Sequence, residues 1–379
     1  MEYVKLGEVA TFINGYAFKP SDWKKEGIPI IRIQNLTGNN REINYYQGKI
    51  DEKYHVKKGE ILISWSASID VYEWKGKNGY LNQHIFKVVF DKMDIDKDFF
   101  VYLIKNKLNE IKKYTHGSTM KHITKSKFDN IKIRIPSKEE QIKIANKLNK
   151  IIIIIEKQKE QLELLENLKK SQFFEMFGNP IKNEKGWEKV SMDEISRLII
   201  RGKTPKYVMD SKIGIINQAC IYWEKIKFEN IKYHENNEKV LTLENQDVLI
   251  NSTGTGTLGR VNIFTKDKEN DKVYTIDTHV TLVRLKKEKV NSIYLKNFFR
   301  VPIVQEYLIS RCVNGSTNQI ELSKEKFKKF RVLLPPLELQ NKFATKIEAI
   351  QKLKFEIEKS LKETENLYNS LMQKFFSNK

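Results

Sequence analysis

Residues 126–151, SKFDNIKIRIPSKEEQIKIANKLNKI, and residues 325–350, EKFKKFRVLLPPLELQNKFATKIEAI, match one another at an offset of 199. Phe128 answers Phe327, Pro136 answers Pro335, Gln141 answers Gln340, and Lys143, Ala145 and Lys147 answer Lys342, Ala344 and Lys346. The offset persists downstream, where Glu166-Asn167-Leu168 meets Glu365-Asn366-Leu367 and Ser171 meets Ser370. Upstream, Gly117-Ser118-Thr119 answers Gly315-Ser316-Thr317 at an offset of 198, and beyond that only echoes survive, such as Gln83-His84-Ile85 against Thr278-His279-Val280. A period near half of the 379 residues means one structural frame used twice, which is also what a length of about 100–200 residues per domain predicts.

After each repeated proline the pattern changes from short alternating runs to helical spacing. Ser137 is placed to cap the first helix, and Glu139 and Glu140 suit its positive end. Steps of four and three residues from Ile144 pass through Leu148, Ile151, Ile155, Gln158, Leu162, Leu165, Lys169, Gln172 and Met176. The second half gives Phe343, Ile347, Ile350, Lys354, Ile357, Leu361, Thr364, Tyr368, Leu371 and Phe375. Both are 3.5-residue seams with polar interruptions, and they predict two long helices that pair as an antiparallel coiled coil. The other reading is two amphipathic helices that each pack on their own domain. Gly178-Asn179-Pro180 stops the first helix. The expected fold class is α+β: a first module over 1–136, a long helix over 137–178, a polar linker over 179–186, a second module over 187–335 and a second long helix over 336–379. Within the modules, short strands are expected at 28–33, 60–64 and 131–135, and a helix around 98–113 with a counterpart near 291–310.

Lys and Arg number 68 against 48 Asp and Glu, a net charge of +20, in a chain that is 40% hydrophobic. That is a globular protein whose leading partner is a polyanion. The excess is local. Residues 105–138 carry ten bases and two acids, and 296–331 carry eight and three, while 139–178 carries seven of each sign. The basic surfaces therefore belong to the modules and recur in both, which points to phosphate contact. The longest aliphatic run, Ile151 to Ile155, is far too short for a membrane span. The start, MEYVKLGEVA, lacks a basic region followed by an apolar stretch, so the cytoplasm is the expected location. Cys220 and Cys312 are far apart and read as buried thiols.

Two stretches resemble catalytic or nucleotide-binding motifs only in part. Gly254-Thr255-Gly256-Thr257-Leu258-Gly259 spells G-x-G-x-x-G, but Arg260 to Phe264 alternates like a strand where a dinucleotide site needs a helix. A glycine and threonine loop between strands, carrying Asn251, Ser252 and Arg260, suits close approach to DNA instead. Asp70, Glu73 and Lys75 form D-x-x-E-x-K, loosely a metal-dependent nuclease core. An exposed hairpin bearing Lys75 and Lys77 explains the same residues, and those lysines join the DNA-contact set. His84 and His279 lack a second ligand at metal spacing and read as structural. No catalytic residue and no metal site is assigned.

With two modules each closed by Gly-Ser-Thr, a strand ending in proline, a Glu-Gln or Leu-Gln helix start and a long helix, the chain resembles the specificity subunit of a type I restriction-modification system. The resemblance spans essentially the whole chain. It implies two target recognition domains held apart by an antiparallel coiled coil with pseudo-twofold symmetry. The partners it implies are double-stranded DNA, two methyltransferase subunits and restriction-translocase subunits, with S-adenosylmethionine, ATP and Mg²⁺ belonging to those partners and no catalysis here. The DNA-facing residues expected on this basis are Ser118, Thr119, Lys121 and His122 in the first module, and Arg260, Ser316, Thr317, Asn318 and Gln319 in the second. Partner docking is expected along the coil, including Phe173, Phe174, Phe177, Phe375 and Phe376. Helices of about 40 residues at 1.5 Å per residue separate the modules, so the expected target is interrupted and asymmetric. The alternatives are a Mg²⁺-dependent DNA nuclease and a non-specific nucleic-acid-binding coiled-coil protein.

Overall fold

The structure is a computed structural model that describes residues 3–38, 43–66, 69–114, 124–236, 240–266, 272–315 and 320–376. It divides into two compact units, Met1–Lys159 with Ser360–Lys379, and Glu160–Lys359. The division differs from the sequence boundaries, because each unit takes one module and part of both long helices.

Each module is built on the same four-stranded antiparallel sheet. In the first unit the strands lie in the order Thr11–Asn14, Ile85–Val89, Ile61–Ser64 and Asp70–Glu73; in the second, Ser196–Arg201, Val280–Leu285, Val248–Asn251 and Val261–Ile263. The central strands Ile61–Ser64 and Val248–Asn251 are buried on both faces, which is why each opens on three consecutive apolar residues, 61–63 and 248–250. A second four-stranded sheet in each module contains one parallel pair, Ile28–Ile31 with Gly79–Leu81 and Ile213–Ile216 with Val273–Ile276. The modules differ at its edge. His55–Val56 adds beside Gly79–Leu81 in the first, whereas Tyr207–Val208 adds at the far side, beside Lys232–His234, in the second.

A two-stranded ribbon closes each module: Tyr3–Lys5 pairs with Lys132–Arg134, and Glu188–Ser191 with Arg331–Leu334. The chain therefore leaves each module beside the point where it entered, and the long helices begin at once, as Lys138–Phe177 and Leu337–Phe376. Ser137 Oγ accepts the Glu140 N–H at 3.3 Å, the expected cap. The repeated glutamine holds each helix to its module. Gln141 Oε1 accepts the Asp96 N–H at 2.8 Å while its Nε2 donates to Pro136 O, and Gln340 Oε1 accepts the Asn291 N–H at 2.9 Å while its Nε2 donates to Pro335 O. Both glutamines are buried.

Within each unit the long helices run antiparallel. In the first, Gln158 Nε2 donates to Ser360 Oγ and Lys159 pairs with Glu365; in the second, Lys354 pairs with Glu166 and Lys346 Nζ donates to Gln172 Oε1. Three of the seam's polar interruptions, Gln158, Gln172 and Lys354, are thus where the helices exchange hydrogen bonds, while Lys169 and Thr364 also bond within their own helices.

Three expectations need correction. The counterpart helix near 291–310 is two helices, Ser292–Arg300 and Pro302–Cys312, because Pro302 lacks an N–H and starts the second. Residues 179–186 are no loose linker. Asn179 Oδ1 accepts from Ile181 and Lys182, Lys185 Nζ donates to the carbonyls of Glu175 and Met176, and Trp187 Nε1 donates to Phe177 O at 2.9 Å, so the segment caps the helix end. Phe173, Phe177 and Phe376, expected on a docking surface, are buried in the cores of their own units; Phe375 is half-buried, and only Phe174 is largely exposed. Cys220 and Cys312 are free, buried thiols.

Candidate nucleic-acid interface

The two modules share one unusual crossing of chain. Gly15 N donates to Ile85 O at 3.1 Å, and Gly202 N to Val280 O at 3.1 Å. Trp65 N donates to His84 O at 3.1 Å, and Ser252 N to His279 O at 2.8 Å. These bonds fix the equivalences: Asn14 with Arg201, Trp65 with Ser252, His84 with His279. The glycines are needed for close approach, since a Cβ would fall 2.0 Å from Asn82 O at Gly15 and 2.2 Å from Asp277 O at Gly202.

In the first module Trp65 Nε1 donates to Asn14 Oδ1 at 3.1 Å and its ring meets the edge of His84 at 4.8 Å. His84 is exposed and holds φ +74°, a left-handed conformation uncommon outside glycine. In the second, Arg201 Nε donates to Thr278 O and its Nη1 is paired with Glu321. Thr253 Oγ1 lies 2.8 Å from His279 Nδ1 and 3.2 Å from Gln218 Oε1. Beneath them Asp277 is buried; burial pushes its carboxyl up, against the His279 N–H that it accepts. His84 and His279 were expected to be structural, but both stand exposed at turns just before a strand.

The loop Gly254–Gly259 follows, with glycines at φ +92°, +85° and +80°, and the strand Val261–Ile263 comes next, so no helix stands where a dinucleotide site would need one. Leu322 N donates to Ser252 O at 2.8 Å, and Thr253 pairs with Glu321. Glu321 and Leu322 therefore lie beside the start of the glycine loop, at one end of the sheet.

Not all candidates lie on that surface. Asn251 and Ser252 are fully buried: Asn251 Nδ2 donates to Gln218 O at 3.1 Å and Ser252 Oγ is 2.6 Å from Thr281 Oγ1. They support the loop rather than meet DNA, and their polarity serves backbone and strand partners. Arg260 turns back along its loop, donating to Gly256 O at 2.9 Å beside the Tyr222 ring. Lys75 and Lys77 are exposed on the turn after Asp70–Glu73, closed by Trp74 Nε1 donating to Lys77 O. Ser118, Thr119, Lys121, His122, Ser316, Thr317, Asn318 and Gln319 lie outside the described residues.

The nuclease candidates are dispersed. Asp70 and Glu73 alternate to opposite faces of one strand, and Glu73 is paired with Lys97 at 2.9 Å. Among the described residues no group of three or more His, Cys, Asp or Glu is arranged to hold a metal, and no helix is long and apolar enough to cross a membrane.

Sequence reasoning missed the exposed apolar side chains of the long helices. Ile153, Ile154 and Leu367 stand out in the first unit, and Leu164, Leu168, Leu353 and Phe355 in the second. Their signal was available, because they fall off the seams.

A doubled sheet module with a loop-built polar end, delivered onto a long helix each time, defines a two-headed recognition protein. The type I restriction modification DNA specificity domain matches residues 1–167 and 184–365, and the chain belongs to that family. It is 23% identical to the EcoBI specificity subunit of Escherichia coli, across 98% of this chain and 85% of that subunit. It is 27% identical to the MjaVIII specificity subunit of Methanocaldococcus jannaschii, across 97% and 91%. The fold resembles the crystal structure of a type I system S subunit from M. genitalium, with a TM-score of 0.61 at 15% identity over 100% of this chain and 96% of that one. A chain from another type I R-M system structure gives 0.57 at 15% identity, over 98% and 96%.

Proposed function

We propose that this specificity subunit chooses the DNA sequence for a type I restriction-modification complex by reading an interrupted, asymmetric target, one half-site per module. The observation that carries this is the duplication. Two modules with the same sheet, closed in the same way and anchored by the same glutamine, differ at the polar ends of their sheets. Equal frames with unequal ends suit two different half-sites, and two long helices suit a gap between them. Lysine-rich module surfaces supply the sequence-independent attraction to phosphates.

Catalysis lies with the partners. Methyltransferase subunits, two in number, use S-adenosylmethionine, and restriction-translocase subunits use ATP and Mg²⁺; the assembly works in the cytoplasm. The methyltransferase docks on the exposed apolar positions of the long helices, Ile153 and Ile154 in one unit and Leu164 and Leu168 in the other. Side chains of this size left in water are what a partner helix covers.

The test is methylome sequencing of a host expressing this chain with its methyltransferase. An interrupted, non-palindromic motif supports the proposal, and methylation by the purified single chain would contradict it. Ile153→Glu with Leu164→Glu should abolish co-purification with the methyltransferase while leaving duplex binding intact.

A further inference from the structure

Resting on the DNA-recognition proposal above, we infer that the glycine crossing is where each module touches its half-site: His84 and His279, the same in both, grip a phosphate, while Asn14 and Arg201, different at one equivalent position, each read a base. A group that discriminates bases must differ between modules that read different sequences; a group that holds the sugar-phosphate backbone has no such need. At this crossing both kinds of position lie within one hydrogen-bonded frame.

The frame is rigid. Gly15 and Gly202 press against the carbonyls of Asn82 and Asp277 so closely that no side chain fits, and the Trp65 and Ser252 N–H groups clamp the carbonyls of the two histidines. The histidine rings are exposed at the rim. In the second module Thr253 Oγ1, whose own proton goes to Gln218 Oε1, accepts from Nδ1–H of His279 and leaves Nε2 free, so the ring donates to a phosphate oxygen there as the imidazolium, with an N–H on both nitrogens.

The variable position carries side chains suited to base edges. Arg201 has five N–H donors; Thr278 O takes one and Glu321 takes another, so three remain on a guanidinium already oriented from two sides. A fork held in this way matches the O6 and N7 acceptors of guanine. Asn14 is exposed, and its Oδ1 accepts one bond from Trp65, leaving a second lone pair and both amide hydrogens. A free donor beside a free acceptor matches the N6 and N7 edge of adenine. Trp65 restricts Asn14 as Glu321 restricts Arg201, so each reader is preorganised by a neighbour of its own.

The experiment is selection from a duplex DNA library, randomised over the target, by the full chain purified with its methyltransferase. Arg201→Lys keeps the charge and loses the fork. It should reduce the guanine preference at one position of the second half-site by about tenfold or more and leave the first half-site unchanged. Asn14→Ala should do the same to an adenine of the first. His279→Ala should weaken binding to every duplex, target or not, by a similar factor without altering the selected motif. Arg201→Gln and a thermal melt of each variant separate lost readout from lost folding. An unchanged motif for a folded Arg201→Lys protein, or a changed motif for His279→Ala, would overturn the inference while the recognition proposal stands. A wild-type complex that enriches no sequence would overturn the recognition proposal itself.

Discussion

The first module and its helices are joined by apolar contacts and exposed polar ones such as the Lys138–Asp94 pair, and the second by apolar contacts plus a partly buried ionic network. In the first unit Phe99 meets Phe376 at 5.4 Å and Tyr102 meets Tyr368 at 6.5 Å. In the second, Phe173, Phe177, Tyr294 and Phe343 form a comparable cluster, but Glu166, Lys169, Glu224, Arg300 and Lys354 lie beside it. At the offset of 199, Lys169 stands where the other helix has Tyr368; counted from the residue that binds the anchoring glutamine, Lys296 stands where the first module has Val101. Burial pulls both glutamates upward, yet Lys169 and Lys354 hold Glu166 below its ordinary value, and Arg300 does the same for Glu224. The aromatic contact is therefore what the scaffold requires. The ions are an addition whose desolvation offsets much of their attraction, and they constrain orientation more than they add stability.

That contrast can be broken in order of size. Phe343→Ala, at a fully buried ring, should cost about 3–5 kcal/mol in chemical denaturation, and Phe376→Ala at the end of its helix should cost less. Gln141→Leu and Gln340→Leu should each cost about 1–3 kcal/mol, because each strands a backbone N–H and a proline carbonyl in a buried anchor, with Gln340→Leu the larger because it strands the Lys289 carbonyl as well. A negligible loss at either glutamine would mean the anchor is not shared. Glu166→Gln should cost about 1–2 kcal/mol, less than a fully buried pair, and should make the second unit's unfolding midpoint less sensitive to salt; no charge change at Glu365, whose pair is exposed, should match it.

A separate effect concerns pH. Burial pushes Lys296 down to about 8, with Arg300 adding to the shift. Its folded value lies below the ordinary 10.5, so between those values the unfolded chain holds a proton that the folded chain does not. This residue's contribution to stability therefore rises with pH from about 8 towards 10.5. Lys296→Met should flatten that rise, measured by denaturation across the window.

The helices were legible because three local signals agree at each start: a proline that ends a strand, a capping or acidic first turn, and a repeated glutamine. The sheet frame was not, since its match between halves decays to isolated residues such as His84 and His279, and strand order leaves no local trace. Asn251 and Ser252 were misplaced for a related reason. A polar side chain near a glycine loop reads as surface, whereas here one bonds a backbone carbonyl and the other a threonine across the sheet. Phe173, Phe177 and Phe376 follow a spacing that marks an apolar face without telling whether a partner or the chain's own module covers it. Pro302 was in plain view, and the apolar pattern across it hid the break.

The independence of the two modules is tested most directly by exchange. Residues 1–136 would be replaced with the matching module of a relative, and the methylome read in a host supplying the methyltransferase. One half-site should change while the other half-site and the approximate gap persist. A change in both half-sites, or a single continuous palindrome, would contradict the two-module account.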